Sequence, residues 1–351
     1  MQFAAEINRF IWIDQYFAGS NGANRYRLAV FPPSAVTSSG LSSWTTWDIT
    51  AADLHQPHPF LDFPDLAIGH DYLYVSCDNG KGGSVSASVI ARIGLTNLKD
   101  GSDLAAAPEP WRYVSGGLFF GRVAQNTGST AYWVQNSSTS QVQASYWPES
   151  SNSWFGPQTV SVASWPNSNY ATTTPDGDNW LSTYTGTILA AAVVPASKGP
   201  GGNLWLAWTA GIGTGALSWL SQPHVELLDL SLPNFTFVSQ QAIWNAKYAY
   251  GFPYLTVSQS GHLGIALASG GGANWVNTAV GDLTATGTTT FWSITNSTTS
   301  CGSTCDRWGD YIAIRPAYGS KSTFSASGYG TQTAGSSYTW DPHFAEFTVS
   351  P

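Results

Sequence analysis

One short pattern recurs along the chain, and it constrains the fold more than any other feature. The pattern is a Pro or Gly corner, an apolar strand, a tight turn and a second strand of alternating character. It is clearest at residues 307–330 and recurs at 63–77 and 252–269. Such a pair of runs predicts a β-hairpin. Hairpins repeated at a period of about 50–60 residues are typical of a β-propeller, in which each blade is a four-stranded sheet.

The composition also favours an all-β fold. Charged residues make up 10% of the chain and aromatic residues 14%, with 17 Trp and 36 Gly. An abundance of Thr, Ser, Val, Tyr, Trp and Gly is typical of short twisted strands joined by tight turns. The formal charge of −8 argues against a nucleic-acid partner, because neutralising phosphates requires clustered Lys and Arg. No apolar run of about 18 residues occurs, so no membrane span is expected.

The candidate strands divide a single domain, residues 1–351, into six blades. Their approximate bounds are 1–50, 51–115, 116–163, 164–244, 245–298 and 299–351. The first five blades each supply four antiparallel strands, A to D from the inside outwards, whereas the last lacks an obvious outer strand. We therefore expect a six-bladed β-propeller. A seven-bladed ring that has lost one blade upstream is the alternative.

One face of the predicted propeller carries most of the candidate functional side chains. This face bears the D-to-A connections and the B–C loops, and we expect the working site in its central depression. His55, His58, His224 and His343 map to it. So do nine of the sixteen Asp, which are Asp53, Asp62, Asp65, Asp78, Asp176, Asp178, Asp306, Asp310 and Asp341.

Four of these loop and corner residues are candidates for proton transfer: His224, His343, Tyr254 and Asp310. Each His follows a Pro at the start of a predicted C strand, and imidazole suits acid–base work near neutral pH. Asp310 lies in the corner before blade 6, where Asp65 and Tyr254 hold the equivalent places in blades 2 and 5. A position that recurs in this way also fits a structural role in fixing the corner.

The candidate substrate-binding residues are Arg307, Trp308, Trp340, His58 and Asp65. Arg307 suits a carboxylate, and the two Trp, placed in rim loops, suit stacking on a sugar. No cofactor is required by any motif.

Calcium is the cation that the acidic loops favour, with Asp310, Asp65, Asp176 and Asp178 as candidate ligands. Asp176 and Asp178 belong to the stretch TPDGDNW at 174–180. Because calcium takes six to eight oxygen ligands, an ordinary Asp-Gly turn is the alternative explanation of this stretch.

The cysteines and sequons favour a secreted protein. Cys301 and Cys305 enclose three residues, a spacing that suits a small disulfide loop better than a zinc site, which needs four ligands. Cys77 ends an apolar strand and is expected to be a buried free thiol. A disulfide, few Lys and three N-glycosylation sequons fit an extracellular protein whose signal peptide has been removed.

The hairpin-and-corner repeat resembles secreted propellers of the sialidase-like and polysaccharide-lyase-like kind over essentially the whole chain. The resemblance implies a carbohydrate-active protein with a polysaccharide or glycan ligand. The turn ESSNSWFG at 149–156 departs from the sialidase Asp-box, S-x-D-x-G-x-T-W, so sialidase activity is not expected.

Lyase and glycoside hydrolase chemistry both remain open. In the lyase hypothesis, His224 or His343 abstracts a proton next to a uronate carboxylate and Tyr254 protonates the leaving oxygen. Arg307, or a calcium ion held by Asp310, then neutralises the carboxylate. A non-catalytic carbohydrate- or protein-binding module of a larger secreted protein is the alternative, and the oligomeric state is left open.

Overall fold

The fold is an all-β, six-bladed propeller, as the sequence predicts. A computed structural model describes residues 1–38, 44–81, 84–99, 112–115, 120–182, 186–196, 201–283, 290–301, 308–309, 312–335 and 337–349. Six antiparallel sheets follow one another along the described chain, and the strands of each sheet pair in chain order. The helical elements are α1 (Pro33–Ser38), α2 (Leu95–Lys99) and a 3-10 turn (Gly215–Leu217). No described helix is long and apolar enough to cross a membrane.

The chain divides into two compact units, whereas the sequence predicted a single domain; the single domain stays a prediction. The first unit comprises Met1–Gln135 and Ala144–Gln158, and the second comprises Asn136–Gln143 and Thr159–Pro351.

Blades 1 to 3 have four strands each. The strands of blade 1 are β1 (Gln2–Ala4), β2 (Arg9–Gln15), β3 (Arg25–Phe31) and β4 (Thr45–Thr50). Those of blade 2 are β5 (Phe60–Ile68), β6 (Tyr72–Lys81), β7 (Ser84–Gly94) and β8 (Arg112–Ser115). Those of blade 3 are β9 (Gly121–Val123), β10 (Thr130–Ser138), β11 (Gln141–Pro148) and β12 (Phe155–Ser161).

Blades 4 and 5 also have four strands. They are β13 (Ile188–Pro195), β14 (Gly202–Ala210), β15 (His224–Leu232) and β16 (Thr236–Ile243), then β17 (Ala249–Val257), β18 (Leu263–Gly271), β19 (Asn274–Leu283) and β20 (Phe291–Ser293). In the described residues blade 6 has three strands, β21 (Ala313–Pro316), β22 (Thr323–Ala334) and β23 (Ser337–Thr348). The predicted absence of an outer strand in blade 6 is therefore confirmed for this part of the chain.

The start predicted for the third strand of blade 6 was wrong. The sequence placed it at His343, but β23 begins at Ser337 and pairs with β22 without a break as far as Thr348. Pro342 lies inside this strand, opposite Tyr329. A Pro is tolerated there because β23 is the last strand of the described sheet, and an edge position leaves its missing N–H without a required partner.

The middle strands of the blades are apolar at successive positions because both of their faces are buried. In the first unit, Leu73 and Val75 on β6 belong to the core shared with blade 1. Tyr74, between them, belongs to the core shared with blade 3. Side chains alternate between the two faces of a strand, so β6 packs against a different blade on each side.

The second unit repeats this packing on β18. Ile265 and Leu267 lie in the core shared with blade 4, whereas Ala266 and Ala268 lie in the core shared with blade 6. The small side chains on the second face let the sheets approach closely. A Cβ on Gly264 would lie 2.8 Å from the Phe324 ring.

The predicted corners of blades 2 and 5 are bulges inside the innermost strands. The register shifts between Asp62 and Asp65 on β5, and between Gly251 and Tyr254 on β17. In each bulge a Phe precedes a Pro and has a left-handed backbone conformation, with φ of 53° at Phe63 and 51° at Phe252. The bulge changes which residues of the strand face each side of the sheet. As a result, Asp65 and Tyr254 occupy equivalent positions in blades 2 and 5.

Gly309 gives a test of how tightly the corner of blade 6 is packed. Its φ is 91°, and an added Cβ would overlap Cγ of Phe252. We expect Gly309→Ala to lower the free energy of unfolding by about 2–4 kcal/mol, because backbone strain and overpacking add. Urea denaturation followed by Trp fluorescence measures this change.

Gly319→Ala is the matched control. Gly319 lies in the turn between β21 and β22 and has a φ of 78°, but a Cβ added there would have no other atom within 4 Å. The free energy of unfolding of Gly319→Ala should therefore fall only by the contribution of backbone strain, about 1–2 kcal/mol. Equal losses in the two variants would contradict the close packing of Gly309 against Phe252.

Candidate active site

Three Asp residues of blade 2 lie where β5 begins and β6 ends. Asp62 and Asp65 flank the β5 bulge, and Asp78 lies directly opposite Asp62 on β6. Residues paired across antiparallel strands project to the same side, with Cβ atoms about 4.5–5.5 Å apart. The register therefore brings two carboxyl groups together. We call Asp62, Asp65, Asp78 and the nearby Arg122 of β9 the blade-2 acidic site.

Asp78 is the buried member of the pair, with 7% of its surface exposed. Burial raises the pKa of the Asp78 carboxyl above its usual range, and the charge of Asp62 adds to this rise. The hydroxyl of Ser88, which faces Asp78 from β7, donates a hydrogen bond of 2.5 Å to Oδ1. This bond and the charge of Arg122 offset only part of the rise. A carboxyl group that keeps its proton to higher pH can act as a general acid.

Asp62 has a different environment. It is half-buried, and its Oδ1 accepts hydrogen bonds from Nε2 of Gln15 at 3.0 Å and from the backbone N–H of Phe63 at 2.9 Å. Paired carboxyl groups in unlike environments are the arrangement in which one serves as acid and the other as base or nucleophile.

Arg122 is held beside this pair by the Phe of the bulge. The centre of its guanidinium lies 4.1 Å from the centroid of the Phe63 ring, and Nη1 donates a 2.8 Å hydrogen bond to the carbonyl of Gly121. Only 7% of its surface is exposed. The cation–π contact fixes a positive charge whose field reaches Asp78.

Two buried amides hold β5 in place just after the bulge. The carbonyl of Leu66 accepts hydrogen bonds from Nε2 of Gln2 at 2.5 Å and from Nε2 of Gln125 at 2.8 Å. Gln2 also donates to Oε1 of Gln125 at 2.7 Å. Asp65 Oδ1 accepts from the N–H of Leu66 at 2.8 Å. The backbone that carries Asp65 is thus tied to β1 and to the segment after β9.

The role expected for His224 requires a correction. His224 begins β15 as predicted, but none of its surface is exposed. Its Nε2 lies 3.1 Å from Oε1 of Glu226, and Oε2 of the same carboxylate accepts a hydrogen bond from Nε2 of Gln240. Because a fully buried ring cannot reach a substrate, the structure assigns His224 to a buried polar network of blade 4.

Tyr254 and His343 each have a partner outside the blade-2 acidic site. The hydroxyl of Tyr254 accepts a 2.6 Å hydrogen bond from Nη2 of Arg315, whose guanidinium also lies over the Tyr254 ring. His343 lies in the middle of β23, where Nε2 is 2.9 Å from Oδ2 of Asp341. Their catalytic roles stay predictions.

The two Trp predicted to bind ligand have opposite environments. Trp308 is fully buried and stacks on Tyr329, with ring centroids 4.7 Å apart. Its expected ligand contact is therefore corrected to a core role. Trp340 on β23 is 47% exposed and packs edge-on against Trp308 at 6.2 Å. Of the two rings, Trp340 is the one that a ligand can reach.

Several predicted residues contribute backbone contacts or lie outside the described residues. His58 is half-buried, and its N–H and carbonyl both bond to the side chain of Asn79, at 3.3 and 2.7 Å. Its role in binding substrate stays a prediction. Arg307, Asp310 and Cys305 lie outside the described residues.

The acidic loop at 174–180 is a compact turn. Hydroxyls of Thr174 and Ser300 donate to the carboxylate of Asp176, each at 2.6 Å. Burial alone would raise the pKa of Asp176, but these hydrogen bonds hold it below its usual range. Burial, together with the charge of Asp176, raises the pKa of Asp178.

The predicted calcium ligands do not gather three acidic or His side chains within the described chain. The group of three that does converge there is His70, Asp71 and Glu149. Calcium at Asp65, Asp176, Asp178 and Asp310 stays a prediction.

The sequence assigned Asp62 and Asp78 to the loop face of the propeller that was predicted to carry the site, but they were not among the candidate catalytic or binding residues. The available signal was the bulge sequence DFPD at 62–65, followed by a β6 strand that ends in Asp78. Arg122 had a weaker signal, since only its position after the Phe-Gly corner of blade 3 matches that of Asp65 after Phe-Pro.

No protein-family model and no curated protein matches the chain. The α-L-arabinofuranosidase Arb93A from Fusarium graminearum, solved with an iminosugar inhibitor, is similar with a TM-score of 0.51 and 10% identity over 95% of this chain and 92% of that one. The exo-β-1,3-galactanase 1,3Gal43A from Clostridium thermocellum has a TM-score of 0.40 and 12% identity over 80% and 58%. A PL25 ulvan lyase bound to -[GlcA(1-4)Rha3S]- has a TM-score of 0.39 and 11% identity, over 99% of this chain and 84% of that one. At such identities the likeness to the first structure shows the fold alone.

Asp78→Asn tests the buried acid through the pH dependence of stability. The folded chain raises the pKa of Asp78, so the contribution of this carboxyl to stability is complete at low pH and is lost as pH rises through the raised value. Asn cannot ionise. We therefore expect the Tm of Asp78→Asn, relative to the parent, to rise as pH increases above about 3.9, the usual pKa of Asp. Circular dichroism melts measure this difference.

Asp48→Asn is a control of opposite sign. The hydrogen bond from Arg27 holds the pKa of Asp48 below its usual range, so its stabilisation is present at higher pH and lost as pH falls. The relative Tm of Asp48→Asn should therefore fall as pH rises. A pH-independent difference between Asp78→Asn and the parent would contradict the environment described for Asp78.

Proposed function

We propose that this chain is a carbohydrate-active propeller that hydrolyses glycosidic bonds at the blade-2 acidic site. The observation that carries the proposal is the pairing of Asp62 and Asp78 on facing strands in unlike environments. Most glycoside hydrolases flank the scissile bond with two carboxyl groups, one protonated and one charged. The similar propeller from Fusarium graminearum is an α-L-arabinofuranosidase, so arabinofuranosides are the first substrates to test.

In the proposed mechanism, Asp78 is the general acid that protonates the leaving oxygen. The carboxylate formed on Asp78 is then stabilised by the Ser88 hydroxyl and the charge of Arg122. Asp62 attacks the anomeric carbon from the other side and forms a glycosyl ester as the bond to the leaving oxygen breaks. Water, deprotonated by the Asp78 carboxylate, then hydrolyses this ester, which releases the sugar and restores both carboxyl groups. We assign the pair to a retaining mechanism, in which the two carboxyl groups are about 5–5.5 Å apart and one of them is the nucleophile. The product should therefore retain its anomeric configuration.

We favour hydrolysis over elimination because of the surroundings of the imidazoles. A lyase needs a base that reaches the carbon next to a uronate carboxylate. His224 is fully buried, and His343 is paired with Asp341 in the middle of β23.

Non-catalytic glycan binding is the second candidate, and an exposed ring pair in the second unit favours it. Trp219 and Trp244 are 50% and 39% exposed, and their ring centroids lie 5.1 Å apart in an edge-to-face arrangement. Trp219 follows the 3-10 turn between β14 and β15, and Trp244 follows β16. Exposed indole faces suit stacking on sugar rings.

A substrate panel tests the proposed hydrolysis. The purified chain is incubated with aryl arabinofuranosides and with neutral and uronate-containing polysaccharides, while reducing ends and unsaturated products are followed separately. We expect reducing ends without unsaturated products. Asp62→Asn and Asp78→Asn should each lower kcat by about 10²- to 10⁴-fold, because each removes one half of the acid–nucleophile pair. Proton NMR of the first product reports the anomer.

Asp14→Asn is the matched control, since Asp14 is an exposed residue of β2 outside the site. Its activity should equal that of the parent. Unsaturated products would instead support a lyase. Saturable glycan binding without turnover, lost in Trp219→Ala and Trp244→Ala, would support the binding module.

We also propose that the protein is secreted and that Cys301 and Cys305 form a disulfide. Cys301 is buried, and Cys77 is buried and free, as the sequence predicted for it. Alkylation in denaturant should therefore modify one cysteine without reductant and all 3 cysteines after reduction. Intact-mass spectrometry counts the adducts. Three adducts without reductant would refute the disulfide.

A further inference from the structure

The turn between β5 and β6 and the end of β11 bring three metal-binding side chains together. His70 and Asp71 lie in the turn, and Glu149 directly follows β11. One ligand atom from each lies within 4.8 Å of the other two. We propose that His70, Asp71 and Glu149 bind a divalent transition-metal ion such as Zn²⁺. This end of blade 2 is the opposite end of β5 and β6 from Asp62 and Asp78, so the proposal is independent of the proposed hydrolysis.

The ligand types favour zinc over calcium. One imidazole nitrogen and two carboxylates form a mixed set that suits zinc and its neighbours, whereas calcium prefers an all-oxygen shell. Zinc ligands lie about 2.0–2.2 Å from the ion, and tetrahedral geometry then places them about 3.3–3.6 Å from one another. Rotation of the exposed His70 and Asp71 side chains, which moves their ligand atoms by about 1 Å, brings the three ligand atoms to the distances that zinc requires.

Backbone hydrogen bonds fix the two segments that carry the three residues. The N–H of His70 donates to the carbonyl of Gly128 at 2.9 Å, and the N–H of Glu149 donates to the carbonyl of Ser129 at 2.9 Å. Both ligand-bearing segments are therefore fixed to the same loop of blade 3. Gly69 allows the close approach, because a Cβ there would overlap Oε1 of Glu149.

Neighbouring groups orient the carboxylate of Glu149. The N–H of Asp71 donates to its Oε2 at 3.0 Å, and the hydroxyl of the buried Tyr74 donates to its Oε1 at 3.4 Å. Partners of this kind hold a metal ligand in its binding orientation. The exposed imidazole of His70 reaches over to Asp71, with Nδ1 2.9 Å from Oδ1.

Blade 5 contains a comparable His–Asp pair for use as a control. Nδ1 of His262, in the turn between β17 and β18, lies 3.4 Å from Oδ2 of Asp282. Within the described residues this pair does not gather a third acidic or His ligand.

The experiment uses the untagged full chain after chelator treatment and dialysis. Isothermal titration with ZnCl₂ should show one saturable site in the parent. His70→Asn and Glu149→Gln should each weaken Zn²⁺ binding by about tenfold or more, because each removes one of three ligands. His262→Asn should bind as the parent does. Thermal melts without metal verify that every variant is folded.

Two further readouts decide the identity of the site. Zn²⁺ should raise the Tm of the parent and of His262→Asn, but not of His70→Asn, and CaCl₂ should give little heat in the same titration. The proposal is overturned if the parent shows no saturable Zn²⁺ binding. It is also overturned if His70→Asn and Glu149→Gln bind with the affinity of the parent, or if Ca²⁺ binds more tightly than Zn²⁺.

Discussion

Burial of both faces of the middle strands is the constraint on which the rest of the structure depends. On β6, Val75 and Tyr74 pack against different blades, and on β18 Ile265 and Ala266 do the same. A strand enclosed in this way accommodates few polar side chains, and those that it holds on β15, such as Glu226 and Asp229, have hydrogen-bond partners. The paired carboxyl groups of blade 2 lie at one end of the β5–β6 hairpin, and the proposed metal ligands lie at the other.

The bulge in the innermost strand connects this architecture to the chemistry of blade 2. Phe63 and Pro64 have no pairing partner on β6, so the register shifts between Asp62, which pairs with Asp78, and Asp65, which pairs with Ser76. A bulge of this kind changes the direction in which the following side chain points. The Phe63 ring then supports the guanidinium of Arg122. Blade 5 has the same bulge but carries Tyr254 after it. The bending of the strand is repeated between blades, whereas the functional groups that it presents are not.

Much of the fold could be predicted, because strand period and turn residues are local properties. The start of β15 at His224 and the hairpin of β17 and β18 were predicted from alternation and Gly-rich turns. The start of β23 was not, because Pro342 normally ends a strand and its tolerance depends on an edge position. Burial was harder still. His224 and Trp308 were expected to contact ligand, yet their surroundings come from segments remote in sequence, such as Gln240 and Trp180.

By itself, the sequence determined the all-β class, the six blades and the incomplete last blade, because hairpin periodicity is written in neighbouring residues. Only the tertiary structure decided which polar residues work together. The pairing of Asp62 with Asp78 depends on a register shift, and the convergence of Asp71 with Glu149 depends on two blades meeting at a turn. The first relation joins the two strands of one hairpin, whose register is set by the bulge, and the second joins residues that are 78 positions apart in the chain. Their energies come from burial and close approach in space, which local sequence patterns do not encode.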